Sequence, residues 1–185
     1  MKFKTKIITA IFFGLLVFSL TSCDIVDALK NYPVNIPYTQ EFTATGSNNS
    51  ISESQTFCIN NSDTYQQYRD KIKSIKFTEI AFRTISYSPE NLQGDVTITL
   101  KDGNGVTLFT ESIPGAKASD YVTTPYKITL TENEIQSINT YLEAVLAAQR
   151  EICFTGSFNI DITSGAGTHT ITGALDLVFE ADTEL

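Results

Sequence analysis

The chain has 185 residues, and its 13 basic and 21 acidic side chains give a net charge of −8 at pH 7. An acidic chain lacks the basic patch that binds nucleic acid, so no nucleic-acid partner is expected. The only histidine is His169, which leaves histidine metal sites and His-activated nucleophiles without the residues they need. Phosphate-binding and dinucleotide motifs are absent from the sequence, and we expect no catalytic residue, metal or cofactor.

The first 22 residues have the three parts of an export signal. Lys2, Lys4 and Lys6 form a positively charged start that contains no acid. An apolar segment over 7–20 follows, which is short for a membrane span because a span needs about 20 apolar residues. Small residues then precede Cys23. One interpretation is an ordinary signal peptide whose cleavage happens to fall near a cysteine.

Leu20-Thr21-Ser22-Cys23 resembles the lipobox of bacterial lipoproteins, in which an aliphatic residue and two small residues precede an acylated cysteine. The resemblance implies that residues 1–22 are a signal peptide that is removed, that Cys23 is the lipid attachment site, and that 23–32 are a tether. It also implies that the domain lies outside the cytoplasm in the bacterial cell envelope, with the membrane as a partner through the lipid. Two or more acyl chains hold a protein stably on a membrane, whereas one holds it only marginally.

Residues 33–185 are predicted to form a single β-rich domain, for which no further family resemblance is assigned. Removal of the signal takes away three lysines, which leaves 10 basic and 21 acidic residues and a net charge of −11. We expect a mainly β fold: one antiparallel β-sandwich or strongly bent sheet of about eight strands. A short helix is predicted over about 62–72 and a long helix over about 132–149.

The first two segments, 33–45 and 51–60, are predicted to form a hairpin. In the short helix that follows, Tyr65 and Tyr68 share one face, where they either pack the helix on the sheet or form a sugar-stacking pair. The longest strand, 75–87, changes the face of its apolar residues twice, which indicates either bulges or a strand that is covered on both faces.

A second hairpin is predicted over 96–108, with Gly105 in its turn. Asp102 and Asn104 match part of a calcium loop, but the other ligands of that motif are missing, which favours a simple turn. Residues 114–125 are predicted to be the longest loop and the best place for a variable binding surface.

Thr131-Glu132-Asn133-Glu134 is a capping box, which predicts the start of the long helix. Ile138, Leu142 and Val145 belong to an apolar stripe along that helix. The stripe either lies against the sheet, which we favour, or forms a groove for a partner.

The last two segments, 151–163 and 168–181, are predicted to form a hairpin in which Phe154 faces Leu177 and Gly156 faces Leu175. This register brings each large apolar residue opposite another apolar residue or a glycine.

The cysteines agree with export, because a lipid on Cys23 leaves Cys58 and Cys153. In an oxidising compartment two remaining thiols usually pair, so we predict a disulfide between them that joins segments 51–60 and 151–163. The alternative is two separate buried thiols.

Two acids on the last segment, Asp176 and Glu180, are about 13 Å apart on an extended strand, too far for a glycosidase pair. The sequence favours a non-enzymatic module that binds an envelope protein or a glycan. In one form of this hypothesis, the protein is itself an accessory subunit of an envelope assembly. Two alternatives stay open: an envelope hydrolase that uses paired carboxylates, and a small-hydrophobe carrier with a cavity between sheet and helix.

Overall fold

A computed structural model describes residues 31–47, 49–165 and 167–184. The predicted signal peptide 1–22, the lipobox cysteine Cys23 and tether residues 24–30 lie outside the described part of the chain. The strands are β1 (Asn31–Gly46), β2 (Ser50–Cys58), β3 (Ile72–Ser88), β4 (Gln93–Asp102), β5 (Thr107–Lys117), β6 (Tyr126–Lys127), β7 (Cys153–Ser164) and β8 (His169–Glu184). The helices are α1 (Asp63–Tyr68) and α2 (Glu132–Ala147), with 3-10 turns at Ile59–Asn61, Arg69–Lys71 and Ala118–Tyr121.

The eight antiparallel strands form two four-stranded sheets. The strand order is β1-β8-β3-β6 in the first sheet and β2-β7-β4-β5 in the second. The chain crosses repeatedly from one sheet to the other, and among the described strands only β4 and β5 are both consecutive and paired. This order is that of a jelly roll. The predicted mainly β sandwich of eight strands is confirmed, and it is two packed sheets rather than one strongly bent sheet.

The core lies between the two sheets, whose inward faces carry apolar residues at alternate positions. The rings of Phe42, Phe82 and Phe158 meet there, with centroids 6.3, 4.8 and 5.7 Å apart. The space left beside Phe42 and Leu175 has a volume of only about 10 Å³. Aromatic side chains therefore fill this part of the space between the two sheets.

The predicted hairpin of the first two segments is wrong. β1 pairs with β8 in one sheet, and β2 pairs with β7 in the other. The turn after Gly46 takes the chain across the edge of the sandwich, where the Gln40 amide donates a hydrogen bond to Gln55 at 2.7 Å. The alternation of apolar residues marks the face that meets the core, but it does not identify the neighbouring strand.

The predicted hairpin of the last two segments is also wrong. β7 lies between β2 and β4, and β8 lies between β1 and β3. The two strands instead face each other across the core, where a Cβ built on Gly156 would lie 3.5 Å from Leu175. The apolar match between Gly156 and Leu175 is thus a contact between sheets, not a pair within one sheet.

The capping box at the start of α2 is confirmed. The Thr131 hydroxyl accepts a hydrogen bond from the Glu134 N–H at 3.3 Å, and the Glu134 carboxylate accepts one from the Thr131 N–H at 2.8 Å. These two bonds satisfy backbone donors that a helix start otherwise leaves unpaired. The helix ends at Ala147, before the predicted end, and Gln149 adopts a positive φ of 53°.

The apolar stripe of α2 packs on the sandwich, as predicted. Ile138, Leu142 and Val145 are buried, and the helix contacts β3. The Asn139 side chain also accepts a hydrogen bond from the Phe77 N–H at 2.8 Å. The helix therefore covers part of the β3 edge that the two-residue strand β6 leaves unpaired.

The predicted hairpin over 96–108 is confirmed as β4 and β5. The Asp102 carboxylate accepts hydrogen bonds from the backbone N–H groups of Asn104 and Val106, both at 2.8 Å, and Gly105 has a φ of 84°. The carboxylate therefore builds the turn itself, as the turn interpretation requires.

The loop predicted over 114–125 is shorter than expected, because β5 continues to Lys117 and a 3-10 turn covers Ala118–Tyr121. Pro114 and Gly115 suggested the end of a strand. β5 is an edge strand, however, and an edge strand tolerates proline because one side of its backbone needs no partner.

The bulges predicted in the longest strand are present, because the register of β3 against β8 shifts at three places. The short helix is confirmed as α1 with the following 3-10 turn. Tyr65 is buried, and Tyr68 makes an edge-on contact with Tyr32 at 6.2 Å. Both tyrosines therefore pack the helix on the domain, in agreement with the first of the two interpretations.

Tyr126 of β6 donates a hydrogen bond to the Glu111 carboxylate of β5 at 2.7 Å, which links the two sheets. This hydrogen bond, with burial and the Glu111 charge, raises the pKa of Tyr126 from 10.0 to about 12. A group with a raised folded-state pKa stabilises the protein below its unfolded pKa, and the effect is lost as the pH passes the folded pKa. We expect the free energy of unfolding to fall more steeply between pH 10 and 12 in the parent than in Tyr126→Phe. Urea unfolding at several alkaline pH values measures this, and parallel pH curves for the two proteins would contradict it.

Candidate functional site

The predicted disulfide between Cys58 and Cys153 is present. Cys58 ends β2 and Cys153 begins β7, and the two residues are direct partners in the ladder between these strands. The bond joins positions 95 residues apart in the chain. It lies on the outer face of the second sheet, where both cysteines are half-buried.

An acid lies beside the disulfide. The Glu151 carboxylate and the sulfurs of Cys58 and Cys153 all lie within 4.8 Å of one another. Glu151 is exposed, and its carboxylate has no hydrogen-bond or ion-pair partner among the residues that the structure describes. No sequence motif includes Glu151, although its position two residues before Cys153 was a signal that both side chains could point the same way.

Two side chains fix the backbone around Cys153. The Tyr141 hydroxyl of α2 donates to the Cys153 carbonyl at 2.6 Å and accepts from the Cys153 N–H at 3.3 Å. The Asn60 side chain accepts from the Ile152 N–H at 2.6 Å. These bonds hold the start of β7 against α2 and against the chain that follows β2.

A groove with a volume of about 800 Å³ lies at the same end of the sandwich. It is bounded by α1, the start of β3 and the C-terminal end of α2, which we call together the inter-helix groove. Its lining combines apolar side chains with charges of both signs: Asn60, Tyr65, Gln66, Arg69, Asp70, Ile72, Lys73, Ser74, Glu143, Leu146, Ala147, Gln149, Arg150 and Glu151. Arg69 pairs with Asp70 at 3.5 Å, and Lys73 pairs with Glu184.

A second groove of about 630 Å³ runs between the β4–β5 turn and the outer side of α2. Its rim is polar and uncharged at Asn104, Asn133 and Gln136. The Asp102 side chain also lines this groove, and its carboxylate accepts the hydrogen bonds from the N–H groups of the turn.

Asp176 and Glu180, the two acids of the last predicted strand, each form an ion pair with a basic side chain. Asp176 forms an ion pair with Arg83 at 2.7 Å, and Glu180 forms one with Lys76 at 2.7 Å. Both pairs join β8 to β3. These carboxylates therefore cross-link neighbouring strands.

His169 follows the last turn of the chain, but it is buried, with 5% of its surface exposed. It has the same parity on β8 as the inward-facing Ile171 and Gly173, so the strand carries its side chain inward. Neither ring nitrogen has a hydrogen-bond partner within the described ranges.

The strand order and the disulfide define the class of the described part: a disulfide-linked jelly-roll domain. No protein-family model matches the chain, and no curated protein matches it. Among solved structures, it is similar to Infectious Bursal Virus derived T=1 particles, at 14% identity and a TM-score of 0.30, over 84% of this chain and 35% of that one. The chain thus spans about a third of that protein's length.

Two further virus structures match a similar share of this chain. For Desmodium yellow mottle tymovirus the identity is 8% and the TM-score 0.36, over 84% of this chain and 89% of that chain. For turnip yellow mosaic virus the identity is 11% and the TM-score 0.38, over 83% and 94%. These TM-scores are too low to carry an argument, so the jelly-roll assignment depends on the strand order alone.

Among the described residues, neither helix combines the length and the apolar character needed to cross a membrane.

Proposed function

We propose that this chain is a lipid-anchored, non-enzymatic module of the bacterial cell envelope that binds a partner protein of an envelope assembly. The observation that carries the proposal is the lipobox Leu20-Thr21-Ser22-Cys23 directly after an export signal. The Cys58–Cys153 disulfide supports it, because structural disulfides persist mainly in oxidising compartments outside the cytoplasm.

The short tether limits how far the domain can lie from the membrane. Residues 24–30 separate Cys23 from the start of β1, and a fully extended chain spans about 3.3–3.6 Å per residue. The start of β1 would therefore stay within about 29 Å of Cys23. Tyr32 contacts Tyr68 next to the inter-helix groove, so the groove lies at the end of the domain that the anchor would hold near the membrane.

The inter-helix groove is the surface that best fits a protein partner near the membrane. Ile72, Leu146 and Tyr65 give it an apolar floor, and charged side chains surround them. Apolar centres with a polar rim are typical of protein interfaces. Arg150 extends this rim, and its guanidinium has no ion-pair partner within the part of the chain described.

Membrane fractionation tests the anchor. Cys23→Ala removes the only acyl attachment site, so the protein should move from the membrane fraction to the soluble fraction or stay as unprocessed precursor. Ser22→Ala is the matched control, because it keeps a small residue before the cysteine and should leave the mature protein on the membrane. A Cys23→Ala protein that is processed and still membrane-bound would contradict the proposal.

Cross-linking and pull-down from the native envelope test the partner. The acylated protein should recover a stoichiometric envelope protein, and Arg150→Glu should weaken that recovery several-fold because it reverses a charge at the groove. Lys117→Glu makes the same charge change on β5, away from the groove, and should recover the partner normally. Equal recovery of the partner by both variants would contradict binding at the inter-helix groove.

A further inference from the structure

We propose that Cys58, Cys153 and Glu151 form a metal site for a borderline-soft divalent cation such as zinc when the disulfide is reduced. Two thiolates and one carboxylate are three of the ligand types that zinc takes in proteins, and a water molecule would complete a tetrahedral set. In the oxidised chain the two sulfurs are bonded to each other, and the Glu151 carboxylate lies within 4.8 Å of both. The site would exist in the reduced chain and be closed in the oxidised chain, so the disulfide and the metal are alternative states.

The strand pairing keeps the two sulfurs close after the bond between them is broken. Cys58 and Cys153 face each other directly in the β2–β7 ladder, and the Ile59 N–H donates to the Ile152 carbonyl at 3.0 Å beside them. The Cα atoms of Cys58 and Cys153 are 4.0 Å apart. Two thiolates on one zinc ion are about 3.8 Å apart, given bonds of about 2.3 Å. Side-chain rotation alone can therefore open the sulfurs to that separation.

The third ligand is held by the backbone that carries it. Tyr141 binds both the N–H and the carbonyl of Cys153, and Asn60 binds the N–H of Ile152. The backbone of Ile152 and Cys153, directly after Glu151, is thus held by contacts other than the disulfide. Ligands whose supporting contacts are already formed bind a metal more tightly, because less ordering occurs on binding.

The electrons and protons of this change balance. A dithiol donor reduces the disulfide, which breaks the bond between the sulfurs and gives two thiols, and the donor becomes a disulfide itself. Zinc then binds the two sulfurs and the Glu151 carboxylate, and the two thiol protons pass to water. Exchange with a second disulfide, which is itself reduced to a dithiol and takes up the two electrons and two protons, returns the closed state.

Zinc binding to the reduced full-length chain tests the proposal. The measurement uses a Cys23→Ala background, because an unacylated Cys23 would add a third thiol and because the test then does not depend on the anchor. Metal analysis after reduction and desalting should find one zinc ion per reduced chain and none per oxidised chain. Magnesium should not compete, since it prefers oxygen ligands. Bound zinc should also slow the return of the disulfide.

Glu151→Gln separates a three-ligand site from two thiols that bind zinc alone. It should lower the zinc affinity of the reduced chain at least about tenfold, which is the loss that even outer-shell changes cause. Glu143→Gln, which alters another acid of the inter-helix groove, should leave the affinity unchanged. The proposal is overturned if the reduced chain binds no more zinc than the oxidised chain, if it unfolds on reduction, or if Glu151→Gln binds as tightly as its parent.

Discussion

Replacement of both Cys58 and Cys153 by serine is expected to lower the free energy of unfolding by about 4 kcal/mol. The disulfide closes a loop of 95 residues, and a cross-link of that span restricts the unfolded chain strongly. It also fixes the end of β2, from which the chain continues into α1. The double replacement avoids a free thiol that could pair elsewhere. Urea unfolding under non-reducing conditions measures the difference.

The neighbouring threonine pair provides the control for this experiment. Thr56 and Thr155 face each other in the same ladder, two residues from the cysteines on each strand and on the same outer face. Their hydroxyl oxygens are 2.9 Å apart. Replacing both by alanine removes an exposed cross-strand contact, which is worth about 0.2–1 kcal/mol. A loss for the cysteine pair that is no larger than the loss for the threonine pair would contradict a stabilising disulfide.

Phe154→Ala is expected to cost about 3–5 kcal/mol, the range for truncating a fully buried phenylalanine. Phe154 has no exposed surface. Its ring lies 5.9 Å from Phe57, 5.4 Å from Tyr141 and 6.0 Å from Phe179, so it joins β2, α2 and β8. Val106→Ala, at a side chain that is 60% exposed, should stay within about 0.5 kcal/mol of the parent. Urea midpoints measure both variants, and similar losses for the two would contradict the packing.

A double-mutant cycle distinguishes the observed packing of β7 and β8 from the hairpin that the sequence suggested. Phe154 and Phe179 are stacked, so their alanine variants should show a coupling energy of about 0.5–1.5 kcal/mol beyond additivity. In the hairpin register Phe154 would face Leu177 instead. Stronger coupling of Phe154 to Leu177 than to Phe179 would therefore favour the hairpin.

Local features of the fold were predictable because their causes are local. The capping box needs only Thr131 and Glu134, which are three residues apart. The β4–β5 turn depends on Asp102 and Gly105 within a few residues. Strand partners are different, because both sheets present an apolar inner face and the alternation along β1 or β8 fits either of them. The residues that match across the core, such as Gly156 and Leu175, therefore suggested pairing within one sheet.

The disulfide was predictable from cysteine number and compartment, whereas its surroundings were not. Cys58 and Cys153 were the two thiols left after Cys23 was assigned to lipid. The positions of Glu151 and Tyr141 beside the disulfide depend on how α2 packs against the start of β7. No short sequence pattern predicts that packing. The inter-helix groove is non-local for the same reason, since it combines residues from α1, β3 and α2.

The intact mass of the protein extracted from membranes tests the lipid anchor. We predict a chain that begins at Cys23, lacks residues 1–22, and carries the added mass of a diacylglycerol on the thiol of Cys23. Hydrolysis of the fatty-acid esters should remove part of that mass and leave the Cys58–Cys153 disulfide in place. A chain cut at another position, or one that begins at Cys23 with no added mass, would contradict the lipid anchor.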